Sequence, residues 1–84
     1  MVQRLRMFRV VDAQLRRYIY GQSDFQDQIK LALERADPFT RQLVLFRAHG
    51  GDYRQAMQRF HISASTYHRR LRNFRQSLIN LIQL

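Results

Sequence analysis
Residues 52–74 read DYRQAMQRFHISASTYHRRLRNF. This stretch has the layout of a short helix, a tight turn and a second helix with one apolar and one basic face. Asp52 with Gln55 has capping-box spacing for the short helix, and Ala56, Met57 and Phe60 form its inward face. His61 falls in the tight turn, where a histidine can adopt positive φ at modest cost. Ile62 anchors the turn, and Ser63 is placed to cap the second helix. There Tyr67, Leu71 and Phe74 share one face, and Ser65, His68, Arg69 and Arg72 share the opposite one. No acidic residue follows Asp52, whereas Arg54, Arg59, Arg69, Arg70, Arg72 and Arg75 all do. A helix able to enter a groove coincides with a local field that attracts phosphate.

Outward from this core the chain reads as helical throughout. Leu5, Phe8, Val11, Leu15 and Tyr18 step by three or four and line a first helix, which Gly21 can stop. Ser23 with Gln26 has capping-box spacing for a second helix striped by Phe25, Ile29, Leu33 and Ala36. Asp37 and Pro38 suit the N-cap and first residue of a third, striped by Phe39, Leu43 and Phe46. Gly50-Gly51 ends it. The last stripe continues through Leu78 and Leu81, past the length of an ordinary groove-reading helix. No strand-like alternation is visible. The expected fold is all-α, about five helices in a single domain over 1–84, with the helix-turn-helix at about 52–74.

Composition narrows the function. The net charge is +9, with fifteen basic residues, all Arg but Lys30, against six acids. Such an excess self-repels unless a polyanion uses it, and double-stranded DNA is the expected partner. Arg4, Arg6, Arg9, Arg16 and Arg17 form a second basic set, read equally well as a binding surface or a solvated face. The absence of cysteine excludes disulfides and thiolate metal sites and fits a reducing compartment, so a cytoplasmic location is expected. No apolar run approaches the ~20 residues of a membrane span, and the first residues lack a continuous apolar signal core; no membrane association is expected. His49, His61 and His68 share no helical face, and no catalytic constellation or phosphate-cradling loop is recognisable, so neither metal, cofactor nor enzymatic activity is expected.

Within the motif, Ser65, His68, Arg69 and Arg72 are the candidates for base contact, the arginines foremost, because guanine presents paired acceptors in the major groove. Tyr53, Arg54, Arg70 and Arg75 are the candidates for phosphate contact. The C-terminal run SLINLIQL is too apolar for a free helix end. Leu78, Ile79, Leu81 and Ile82 are the candidates for a dimer seam within a dimerisation segment at about 75–84. The alternative cover for that surface is the first helix.

The stretch ISASTYHRRL resembles the turn and recognition helix of many bacterial and phage transcription factors, often I/V-S-x-S-T-V-x-R-x-L. Ile62, Ser63, Ser65, Thr66, Arg69 and Leu71 match, and Tyr67 replaces a small aliphatic residue. From Arg41 to Leu84 the chain is similar to two groups of small regulators, those of adhesin operons and the plasmid repressors of the KorA type. The first forty residues match neither. The resemblance implies sequence-specific DNA binding as a homodimer at operators. A different class of function, a small factor binding RNA polymerase or another regulator, is the alternative.

Overall fold
The computed structural model describes residues 2–82, with side chains from residue 7 onward. Leu5, Arg4 and Arg6 of the N-terminal helix and the terminal Leu84 lie outside the described side chains. Five helices follow one another: α1 Val2–Tyr18, α2 Gln26–Arg35, α3 Pro38–Ala48, α4 Tyr53–Phe60 and α5 Ala64–Ile82. No strand occurs among the described residues, and the fold is all-α.

The helices form where the apolar spacing places them, and each stripe turns inward. Val11 and Leu15 of α1 meet Ile29 and Leu33 of α2, Leu43 and Val44 of α3, Ala56 of α4, and Tyr67, Leu71, Phe74, Leu78 and Ile79 of α5 in one buried cluster. The long α5 packs against each of the other four helices. It is therefore the axis of the fold, and whatever its outer face presents is fixed by the whole core.

The boundaries have local causes. After α1 the chain closes with Gly21 at φ +71°. The Gly21 N–H donates to the Tyr18 carbonyl at 2.9 Å and the Gln22 N–H to that of Arg17 at 3.0 Å, the two bonds of a Schellman closure. The same pair recurs after α3, from Gly50 to Arg47 and from Gly51 to Phe46. Asp37 caps α3, its carboxylate accepting from the Thr40 N–H at 3.1 Å, with Pro38 as the first helical residue. Arg41 reaches back to the end of α2, donating to the Leu33 carbonyl at 2.8 Å and that of Ala36 at 3.1 Å.

One boundary departs from the sequence reading. Ser23 does not complete a capping box. Gln26 accepts from the Ser23 N–H, but the Ser23 hydroxyl accepts from the Phe25 N–H and donates to Gln14 at 2.8 Å. Gln14, buried on α1, also takes the Asp24 N–H. This inter-helix bond competes with the cap, so α2 begins at Gln26 with no side-chain cap.

Candidate nucleic-acid interface
The unit α4–turn–α5 is built from its caps. Asp52 and Gln55 complete a reciprocal capping box: the Gln55 N–H donates to Asp52 at 2.9 Å and the Asp52 N–H to Gln55 at 3.0 Å. His61 adopts the left-handed conformation at φ 54°, ψ 49°, which reverses the chain between α4 and α5. The Ser63 hydroxyl then accepts from the Thr66 N–H at 3.1 Å and starts α5. Phe60 locks α4 down, its ring meeting Phe39 and Phe46 edge-on at 5.8 and 5.6 Å between centroids.

Ser65, His68, Arg69 and Arg72 all lie exposed on one edge of α5, and Tyr67, Leu71 and Phe74 are buried on the other. From Ser65 to Arg72 is ~10 Å along the helix, about three base-pair steps of DNA. Arg69 and Arg72 enter no ion pair or side-chain hydrogen bond among the described residues. Tyr53 joins this edge from α4: its ring lies 5.7 Å from that of His68. Its hydroxyl accepts from Arg54 Nε at 3.2 Å, and the Arg54 guanidinium sits 5.7 Å from its ring. Tyr53, Arg54 and the exposed edge of α5 thus form one surface whose nearest carboxylate in sequence is the capping Asp52.

Two of the expected phosphate contacts are placed otherwise. Arg75 points away from this surface toward α1. Its Nε and Nη2 grip the two carboxylate oxygens of Asp12, each at 3.0 Å. Its guanidinium lies 5.3 Å from the Phe8 ring, and its side chain is only 14% exposed. It is an internal tie, not a phosphate contact. Its position was readable: Arg75 follows Tyr67 and Leu71 at four-residue intervals and shares their buried face. Arg70 is half engaged. Its Nη1 lies 3.1 Å from both oxygens of Asp37 and from the Thr40 hydroxyl, and its guanidinium 5.1 Å from Phe39. The paired Thr40 hydroxyl and N–H, with Arg70 beside them, hold the Asp37 carboxyl below its usual range.

Arg47, a residue that the sequence reading did not single out, completes the tie. Its Nη2 donates to Asp12 at 3.2 Å and its Nη1 to the buried Tyr67 hydroxyl at 3.0 Å. Burial works to lower the Arg47 pKa, but the Tyr67 hydroxyl and Asp12 together raise it. Asp12 of α1 is thereby linked through Arg47 to Tyr67, whose ring meets His68 edge-on at 5.1 Å. These contacts tie the N-terminal helix to the exposed edge of α5.

The expected dimer seam is also redistributed. Leu78 and Ile79 are 0% and 5% exposed within the chain. They belong to the core. Leu81 and Ile82 keep part of their surface. Among the described residues no helix is long and apolar enough to cross a membrane, and no group of His, Cys, Asp and Glu is arranged to hold a metal ion.

No protein-family model, curated protein or solved structure matches this chain.

Proposed function
We propose that this protein is a sequence-specific DNA-binding transcription regulator that inserts the first half of α5 into the major groove. The observation that carries this reading is the exposed edge Ser65, His68, Arg69 and Arg72, free of acidic side chains and mounted on the helix that every other helix supports. Arg69 and Arg72 are positioned to read base edges, with Ser65 and His68 beside them. Tyr53 and Arg54 contact the flanking phosphates as α4 crosses the backbone. Arg70 can join them by exchanging Asp37 for a phosphate.

The likeness of ISASTYHRRL to bacterial, phage and plasmid regulators, those of adhesin operons and the KorA type among them, belongs to this proposal. So does the homodimer. Its seam narrows to Leu81 and Ile82, since Leu78 and Ile79 are spent on the core. Two-fold pairing there would match half-sites on duplex DNA.

Selection of bound sites from random duplexes tests the reading. A recovered motif, with selectivity weakened by Arg69→Ala or Arg72→Ala, supports it. Recovery of unenriched sequence would reduce the protein to a charge-driven binder.

A further inference from the structure
Past the reading edge, the outer face of α5 runs into a groove of about 700 Å³ walled by the end of α2 and the start of α3. Arg35, Arg69 and Arg70 line it together with Asn73, Ser77 and Asn80. The one carboxylate in the lining is Asp37, already held by Arg70 and by the Thr40 N–H. Three arginines against one engaged aspartate leave the groove positive, and a concave surface of one sign focuses its potential outward. Arg35 is exposed and forms no ion pair among the described residues.

We propose that this groove takes a second stretch of sugar-phosphate backbone from the duplex read by α5, with Arg35 as a phosphate contact. This deepens the DNA-binding reading and depends on it. Continuity is the first support: Arg69 belongs to both the reading edge and the groove. From Arg69 to Ser77 the same face runs on for ~12 Å. Chemistry is the second support. Arginine, amide and hydroxyl groups are the donors that phosphate and sugar oxygens accept from.

The test compares the full chain with Arg35→Gln and Lys30→Gln by fluorescence anisotropy across a salt series, on a selected duplex and a random one. Lys30 is an exposed cation on the same helix, outside the groove, and controls for net charge. Arg35→Gln should weaken binding to both duplexes roughly three- to tenfold and make the log–log salt slope shallower by about 1. Lys30→Gln should leave the slope unchanged. Steep binding by the unmodified protein with indistinguishable slopes for the two variants would overturn the groove assignment and leave the function of α5 intact. No duplex binding by the unmodified protein would remove both. Arg35-dependent binding of poly-L-glutamate with undiminished DNA binding by Arg35→Gln would overturn the assignment in favour of an acidic protein partner.

Discussion

Asp12 carries two arginines, so its replacement by asparagine should be felt far from α1. The carboxylate accepts from Arg75 Nε and Nη2 at 3.0 Å and from Arg47 Nη2 at 3.2 Å. The substituted amide would keep one acceptor oxygen, turn an N–H₂ toward a guanidinium and leave two cations facing each other. Removing one partner of a fully buried pair costs ~3–5 kcal/mol. Here the Asp12 and Arg75 side chains keep 17% and 14% of their exposure and Arg47 keeps 35%, so water recovers part of the loss. The expected cost of Asp12→Asn is ~2–3 kcal/mol, mostly from the Arg75 arm. In a domain this small it corresponds to a fall in Tm of roughly 10–20 °C. Urea unfolding followed by far-UV circular dichroism should show a lower midpoint at unchanged m. Arg75→Gln should cost a similar amount, and the double variant should fall short of the sum by ~1–2 kcal/mol. A loss below ~0.5 kcal/mol for Asp12→Asn, or strict additivity, would refute the tie between α1 and α5.

Four further outcomes follow from the same geometry. Arg69→Ala or Arg72→Ala should cost ~1–3 kcal/mol on a selected site and much less on random DNA, whereas Arg54→Ala should weaken both alike; parallel anisotropy titrations distinguish these. Gly51→Ala would drive a Cβ into the Phe46 ring and disturb its edge contact with Phe60, at a cost of ~1–3 kcal/mol by chemical denaturation. Leu78→Asp, in a fully buried site, should unfold the chain rather than yield a folded monomer, as circular dichroism would show. Because the Asp37 carboxyl is held below its ordinary value of 3.8, its contribution is complete above that pH and declines as the pH falls further, through the folded-state value. Asp37→Ala should remove that part of the acid transition in a pH titration of unfolding.

The helices were legible because their signals are local. Stripes at three- and four-residue steps, the Asp37-Pro38 start, the Asp52/Gln55 box and the glycine stops each involve residues within one or two turns, and each formed. What stayed hidden depends on distant partners. Arg75 meets an acid 63 positions upstream and Arg70 one 33 positions upstream, and no helical wheel shows an acid on another element. The Ser23 cap was lost to Gln14 for the same reason. The C-terminal stripe was read as partner surface because an apolar face has the same sequence pattern whether a neighbour helix or a second molecule covers it. The exposed edge of α5 was legible because its periodicity and its charge coincide; Arg35, on a different helix, enters the same surface only through the fold.

The claim that α5 is built to meet DNA is tested most directly by the salt dependence of duplex binding by the unmodified protein. With several phosphates neutralised by Arg54, Arg69, Arg72 and their neighbours, log Kobs against log salt concentration should be linear with a slope on the order of −4 to −8. A slope near zero, or no binding to any duplex at low salt, would contradict that claim.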